Sequence, residues 1–191
     1  MKIGILAIQG DFNLQKEALN KLHIDSVYVK TTKDLMNCNA MIIPGGESTT
    51  ISLLIDKLKL RKSILDFSKD HSLFGICAGS ILMSSSSIDT KVNNLSIINV
   101  ETQRNSWGSQ INSFSDYVNL KGDLLSSKLF LGTFIRAPKF RNISSENSIL
   151  GWFNKEAVLI RNKKHLVSSF HPEIGKDLRI FEYFIKMINE Q

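Results

Sequence analysis

The sequence predicts an α/β fold with a mostly parallel sheet, and three observations lead to it. A continuous apolar run at 2–8 suits a strand that is buried on both faces. Short apolar runs then alternate with segments of helical periodicity through the first half of the chain. Gly-rich segments follow the ends of several of these runs. Because strand–helix–strand order implies parallel strands joined by right-handed crossovers, we expect helices to cover a parallel sheet.

In the first half, caps and periodicity place the elements. Asp11 offers an N-cap to a helix with apolar residues at every fourth position. Ser48 or Thr49 can cap the next long helix, which follows a Pro-Gly-Gly turn. The predicted strands are 2–8, 26–29, 39–43 and 73–76, and the predicted helices after the first are about 48–58 and 61–69.

The second half is more β-like, and it ends on a helix from about 176 to 189. The serine run 84–87 is interpreted as a helix end or a loop. Strands are predicted near 95–101, 115–120, 128–135, 156–161 and 165–170.

Length and composition indicate one soluble domain over residues 1–191. Hydrophobic residues make up 42% of the chain and charged residues 22%, as in ordinary globular proteins. The N-terminal apolar stretch is too short for a membrane helix and lacks a signal-peptide cleavage site, so a reducing cytoplasm is expected. Cys38 is interpreted as a buried, inert thiol.

The net charge of +6 does not indicate a nucleic-acid partner, because the basic residues are scattered. The densest cluster, Arg161, Lys163 and Lys164, is interpreted as a solvated turn. No CxxC or HExxH metal motif and no dinucleotide-type glycine motif is present, so no metal and no cofactor are expected.

The segment 75–79 carries the strongest chemical signal. It reads Gly-Ile-Cys-Ala-Gly, directly after a predicted strand and before a helical pattern, which is the cysteine form of a nucleophile elbow. Gly75 and Gly79 would allow close backbone packing, and the helix start would favour the thiolate of Cys77. The N–H of Ala78 would face an oxyanion. A buried core cysteine at a tight turn is the alternative interpretation.

A thiolate nucleophile needs a proton partner, and His171 is the best candidate of the four histidines. It ends an apolar stretch and begins His-Pro-Glu, in which Pro172 keeps the chain extended. Side chains two apart then share a face, so Glu173 could fix the tautomer of the ring. His23, His71 and His165 are interpreted as surface or helix-end residues.

Taken together, these motifs resemble the triad glutaminases of the class I amidotransferase family, and within it the glutaminase subunits of pyridoxal 5'-phosphate synthase. The resemblance covers nearly the whole chain. It is carried by Gln-Gly at 9–10, Pro-Gly-Gly-Glu-Ser-Thr-Thr at 44–50, the elbow at 75–79, Arg-Asn-Ser-Trp-Gly at 104–108, Phe-Ile-Arg-Ala-Pro at 134–138 and Phe-His-Pro-Glu at 170–173.

The resemblance implies a flavodoxin-like three-layer α/β/α sandwich and a set of residue roles. Cys77 would attack the glutamine side-chain amide, His171 would transfer the proton, and Glu173 would orient the ring. N–H groups of Gly46 and Ala78 would hold the oxyanion. The glutamine would be bound by Gly46, Glu47, Ser48, Arg104, Ile135 and Arg136, with either arginine on its carboxylate.

The resemblance also implies a partner. Ammonia would pass to a synthase subunit that builds pyridoxal 5'-phosphate, in a hetero-oligomer whose interface includes Gln9. The sequence departs from the family's usual residues at Ser80, Trp107, Ser109 and Gly175. The alternatives are a glutaminase that serves another synthase, such as imidazole glycerol phosphate synthase, a cysteine peptidase or chaperone-like protein on a related fold, and a non-catalytic regulatory or scaffolding module.

Overall fold

The computed structural model describes residues 1–88, 91–104, 106–107, 113–121 and 129–190. In chain order, its elements are β1 (Lys2–Leu6), α1 (Phe12–Lys21), β2 (Asp25–Val29), α2 (Thr32–Leu35), β3 (Ala40–Ile43), α3 (Ser48–Lys57), α4 (Arg61–Asp70), β4 (Ser72–Ile76), α5 (Ala78–Met83), β5 (Ser84–Ile88), β6 (Ile98–Gln103), β7 (Ser113–Leu120), β8 (Leu129–Ile135), β9 (Lys139–Arg141), β10 (Ser148–Phe153), β11 (Glu156–Arg161), β12 (Leu166–Ser168) and α6 (Arg179–Asn189).

The central sheet is mixed, and its parallel half contains the strands that the sequence predicts most clearly. Its strand order is β2-β1-β3-β4-β12-β11-β10-β7-β8. Strands from β2 to β12 pair in parallel, whereas those from β12 to β8 pair antiparallel. A second sheet has the order β5-β6-β9. Because parallel strands end at the same edge, the loops after β1, β3 and β4 are neighbours.

Helices cover both faces of the central sheet and bury two apolar layers, as expected for a three-layer sandwich. One layer packs residues of α1 and α6, such as Leu19 and Phe181, against the sheet. The other contains residues of α3, α4 and α5, such as Ile55, Ile64 and Leu82. Within the described ranges, none of the helices is both long and apolar enough to cross a membrane.

The serine run 84–87 is a strand, so its interpretation as a helix end or loop is wrong. It belongs to β5, which pairs in parallel with β6. The hydroxyl oxygens of Ser84 and Ser87 lie 3.2 and 3.0 Å from that of Thr102. These hydrogen bonds take the place of the apolar alternation by which a strand is usually recognised.

Helix α3 begins with a cap that differs from the predicted one. The carboxylate of Glu47 accepts hydrogen bonds from the N–H groups of Thr49 and Thr50, at 3.2 and 2.6 Å, so neither Ser48 nor Thr49 is the cap. Asp11 lies at the N-cap position of α1 but makes no capping hydrogen bond with its side chain. This cap places the Glu47 carboxylate at the loop after β3, where it lines a cavity.

Candidate active site

The loops after β1, β3 and β4 converge on one cavity of about 280 Å³. Its volume suits a small ligand rather than a polypeptide. Every predicted site residue except Glu173 lines it, namely Gln9, Gly46, Glu47, Ser48, Cys77, Ala78, Arg104, Ile135, Arg136 and His171. The predicted convergence of these segments is therefore present in the structure.

Cys77 lies in the turn between β4 and α5 with a strained backbone. Its φ of 49° and ψ of −103° are unusual for a residue that carries a side chain. Its N–H donates to the carbonyl of Ser168 in β12, at 2.8 Å. The side chain is 6% exposed, and its sulfur lies 3.6 Å from the carbonyl oxygen of Ile135. The turn thus presents a nearly buried thiol at the wall of the cavity.

The glycines that flank the cysteine are required by close backbone contacts. A methyl group on Gly79 would collide with the backbone carbonyl oxygen of Ile43 in the neighbouring strand β3. A methyl group on Gly75 would lie 2.7 Å from the carbonyl oxygen of Gly79. The Gly-x-Cys-x-Gly spacing therefore allows α5 to begin directly against the sheet.

His171 and Glu173 form a buried pair beside the thiol. The ring Nδ1 of His171 lies 2.7 Å from Oε1 of Glu173, and the two residues are 8% and 6% exposed. The N–H of His171 donates to the carbonyl of Thr133 in β8, at 2.8 Å, which fixes the backbone that carries the ring. The remaining side of the imidazole faces the cavity and the Cys77 side chain.

The surroundings of His171 hold a proton on its ring. Burial by itself lowers the pKa of the imidazole, but hydrogen bonds with the side chains of Cys77 and Glu173 more than offset it and raise the pKa from 6.5 to about 10. The ring is therefore an imidazolium at neutral pH, and it lies between a sulfur and a carboxylate. This arrangement can stabilise a thiolate and can deliver a proton to a leaving group.

Glu47 and Arg104 form the polar wall of the cavity. Burial raises the pKa of the Glu47 carboxyl, but hydrogen bonds from Thr50 and Thr49 and the nearby Arg104 charge lower it overall, to about 2. The guanidinium of Arg104 donates to Glu47 and to the hydroxyl of Thr49, both at 3.1 Å. Arg104 is therefore held in place before any ligand arrives.

Ser48 and Arg136 carry polar groups at the cavity that could bind a ligand. The hydroxyl of Ser48 is buried and makes no hydrogen bond to any residue the structure describes. Arg136 is exposed, has a φ of 45° and makes no ion pair to the described part of the chain. A zwitterionic amino acid would find a carboxylate in Glu47, a hydroxyl in Ser48 and cations in Arg104 and Arg136 on this wall.

The Gln9 side chain packs directly against the glycine loop that follows β3. Its side-chain oxygen accepts a hydrogen bond from the N–H of Glu47, at 2.9 Å. A methyl group on Gly46 would lie 2.5 Å from that oxygen, so the loop approaches Gln9 closely. The side chain predicted at a partner interface is thus also part of the cavity wall.

Some residues of the cavity wall were not predicted. Asp11, Gly45 and Ile81 also line the cavity. Gly45 could have been expected, because it belongs to the same Pro-Gly-Gly turn as Gly46. In the structure, a methyl group on Gly45 would collide with the ring of His171. Three residues around the Arg-Asn-Ser-Trp-Gly motif, Asn105, Gly108 and Ser109, lie outside the described residues.

His165 is buried, so the prediction of a surface residue is wrong. It is 7% exposed, and its Nδ1 accepts a hydrogen bond from the N–H of Leu73, at 3.2 Å. Burial, together with the Lys164 charge, lowers its pKa to about 4. It lies next to β12 at the end away from Cys77, and it does not line the cavity.

Arg161 also departs from the prediction of a solvated turn, because it ends β11 and donates to the hydroxyl of Tyr183, at 2.8 Å. Cys38 is buried, as predicted.

The fold and the neighbouring thiol, imidazole and carboxylate define the class of triad amidotransferases, and comparisons with known proteins narrow it. The model of the SNO glutamine amidotransferase family matches residues 5–190. The protein named pyridoxal 5'-phosphate synthase subunit PdxT of Thermosipho africanus is 37% identical over 191 residues, which is all of both chains. The chain belongs to the SNO glutamine amidotransferase family.

Further relatives agree over the whole length. The protein of the same name from Oenococcus oeni is 37% identical and covers 100% of this chain and 98% of its own. A crystal structure titled glutamine amidotransferase superposes with a TM-score of 0.92 at 35% identity and covers 98% of each chain. The structure of PurLQS from Thermotoga maritima, at 12% identity, 97% coverage of each chain and a TM-score of 0.70, shows the shared fold alone.

Proposed function

We propose that this chain is the glutaminase subunit of a pyridoxal 5'-phosphate synthase. It hydrolyses L-glutamine to L-glutamate and ammonia, and the ammonia passes to a synthase subunit. The observation that carries the chemistry is geometric: the His171 ring lies 2.7 Å from the Glu173 carboxylate and shares with Cys77 the wall of a cavity of about 280 Å³. The full-length relatives named as synthase subunits support the pathway.

The first half of the reaction transfers the acyl group to sulfur. The thiolate of Cys77 attacks the side-chain amide carbon of glutamine, a C–S bond forms, and the carbonyl oxygen becomes an oxyanion. When the C–N bond breaks, the proton on His171 goes to the departing nitrogen and ammonia leaves. A glutamyl thioester and a neutral imidazole remain, and Glu173 keeps the proton-bearing nitrogen of the ring fixed.

The second half releases glutamate. Neutral His171 takes a proton from a water molecule, whose oxygen attacks the thioester carbon. The C–S bond then breaks and returns the thiolate, beside a ring that is protonated again. The cycle consumes one glutamine and one water and returns the site to its starting protonation state.

Backbone N–H groups at two turns would stabilise both oxyanions. Ala78 is the first residue of α5, and the first N–H groups of a helix have no partner inside it. Gly46 also lines the cavity, in the loop before α3. Donors fixed before the reaction lower the barrier most, because they need no rearrangement as charge develops.

The polar wall would bind the amino-acid end of glutamine. We assign the α-ammonium to Glu47 and to the backbone carbonyl region at Ile135, and the α-carboxylate chiefly to Arg136, with Ser48 donating a hydrogen bond. Arg104 already bonds to Glu47 and Thr49, so it would hold Glu47 in place and add positive charge. A bidentate arginine contact suits a free carboxylate.

The partner and the setting belong to the same proposal. A hetero-oligomer with the synthase subunit forms in the cytoplasm, with residues 1–191 acting as one glutaminase domain. Gln9 lies near the interface. Since Gln9 also bonds to the glycine loop at Glu47, docking on this side would act on the loop that carries Gly46.

Ammonia release tests the proposal. Wild-type chain, chain with the synthase subunit, and Cys77→Ala with the synthase subunit are supplied with glutamine, and ammonia is measured. We expect release that increases strongly with the synthase subunit and that is abolished by Cys77→Ala. No release from the wild-type complex, or release that persists in Cys77→Ala, would contradict the glutaminase assignment.

A further inference from the structure

Ser80 makes an unusual contact with the carbonyl of the proposed nucleophile. The side chain is fully buried, and its hydroxyl donates to the backbone oxygen of Cys77 at 2.6 Å. The N–H groups of Ser80 and Ile81 donate to the same oxygen, at 3.0 and 3.2 Å. Three donors therefore converge on one carbonyl, and one of them is a side chain that the mechanism above does not use.

That carbonyl belongs to the peptide unit whose other end is the N–H of Ala78. A trans peptide is planar, so its C=O and N–H point in opposite directions and turn together. Among the described residues no peptide bond is cis. Fixing the oxygen of Cys77 on the helix side therefore fixes the direction of the Ala78 N–H on the cavity side. A hydrogen bond accepted by the carbonyl also makes the N–H of the same unit a stronger donor.

The backbone at this turn needs such a restraint. The φ of 49° and ψ of −103° at Cys77 lie outside the conformations that its side chain favours. On the other side of the residue, the N–H of Cys77 is tied to Ser168 at 2.8 Å. The hydroxyl of Ser80 adds a further hydrogen bond on the carbonyl side, next to the donor that the reaction would use.

We propose that Ser80 is a positioning residue, which orients the Cys77–Ala78 peptide so that the Ala78 N–H meets the oxyanion. The inference rests on the proposed glutaminase function. It assigns to Ser80 an effect on the transition state and not on the binding of glutamine, since the hydroxyl faces the carbonyl and does not line the cavity. Its loss should therefore lower kcat and leave KM nearly unchanged.

Ser84 provides a matched control at the other end of the same helix. It is also fully buried, and its hydroxyl donates to the carbonyl three residues earlier, at Ile81, at 2.7 Å. Ser80→Ala and Ser84→Ala each remove a buried hydroxyl that donates to a carbonyl of α5. Ser84→Ala also removes contacts with Thr102 and Asn94, so it disturbs the packing around α5 at least as much. Only Ser80→Ala removes a hydrogen bond from the peptide unit that carries the oxyanion donor.

The experiment measures kcat and KM for glutamine with the synthase subunit present, and the rate at which iodoacetamide alkylates Cys77 across a pH series. For Ser80→Ala we expect kcat to fall about five- to tenfold, the value of one net hydrogen bond, with KM within about twofold. Alkylation needs no oxyanion donor, so its pH profile should match wild type. Ser84→Ala should retain the wild-type kcat.

Three outcomes would overturn the proposal. They are an unchanged kcat in Ser80→Ala, an equal loss in Ser84→Ala, and a shifted alkylation profile in Ser80→Ala, which would mean that the thiol itself had moved. A wild-type complex that releases no ammonia would instead contradict the glutaminase function, so the two failures are distinguishable.

Discussion

At the scale of single residues, the candidate site is held by main-chain contacts as much as by side chains. Cys77 is tied to Ser168 through its N–H, and His171 is tied to Thr133 in the same way. The identities of Cys77, His171 and Glu173 could be proposed from motifs, because their chemistry and local spacing are visible in the sequence. The anchoring residues could not, because a backbone acceptor leaves no signature in residue type.

The first residue-scale prediction concerns the carboxylate behind His171. Glu173→Gln keeps the shape of the side chain but removes the negative charge at 2.7 Å from the ring. We expect kcat for glutamine to fall by roughly one to three orders of magnitude, since the ring loses the group that orients it and stabilises its protonated form. Glu182→Gln, an exposed change in α6, is the control and should behave as wild type.

The same variant tests the charge state of the pair. Because the folded-state pKa of His171 is raised to about 10, its protonation contributes stability that is complete below about pH 6.5 and is lost as the pH rises through about 10. Urea unfolding of Glu173→Gln should show a shallower loss of stability across this window. A kcat and an alkaline stability profile equal to those of wild type would contradict the role given to Glu173.

At the scale of elements, the parallel half of the fold could be predicted and the small strands could not. Strands β1, β3 and β4 are continuous apolar runs because both of their faces are buried, so the sequence predicts them directly. Strand β5 consists almost entirely of serine, and the hydroxyls of Ser84 and Ser87 lie within hydrogen-bond distance of that of Thr102 in β6. It therefore has no apolar pattern by which a strand could be predicted. In strand β10, a register shift lies on each side of Gly151. The side chains therefore do not alternate regularly, and the sequence does not predict this strand.

The contact between α5 and the sheet gives an element-scale prediction. Gly79→Ala would place a methyl group against the carbonyl oxygen of Ile43, and a backbone atom cannot turn away as a side chain can. We expect the free energy of unfolding to fall by about 2–4 kcal/mol and glutamine hydrolysis to be lost as α5 shifts. Chemical denaturation and the ammonia assay measure the two effects.

Gly175→Ala separates steric collision from backbone strain. Gly175 has a φ of 131°, but nothing lies within 4 Å of a methyl group at this position. Its substitution should cost only about 1 kcal/mol, the strain of the backbone conformation. Equal losses of stability in the two variants would mean that the contact with Ile43 is not what requires Gly79.

At the scale of the whole molecule, the sheet has a catalytic candidate at one edge and a buried histidine at the other. His165 precedes β12, and its ring joins that strand to the start of β4 through the N–H of Leu73. The sequence offered no sign of this, because a histidine in a basic turn resembles a solvated residue until the strand pairing is known. Its burial predicts a dependence of global stability on pH.

The last prediction concerns this acid dependence. The folded-state pKa of His165 is lowered to about 4, so between about pH 6.5 and 4 the unfolded chain binds a proton that the folded chain excludes. The contribution of neutral His165 is complete above about pH 6.5 and declines by about 1.4 kcal/mol per pH unit as the pH falls toward 4. His165→Asn keeps an acceptor for the N–H of Leu73 but does not titrate, so its stability should fall less steeply in urea unfolding across this range. His23→Asn, at an exposed site, should retain the wild-type slope; if His165→Asn retains it as well, then protonation of His165 is not what destabilises the fold in acid.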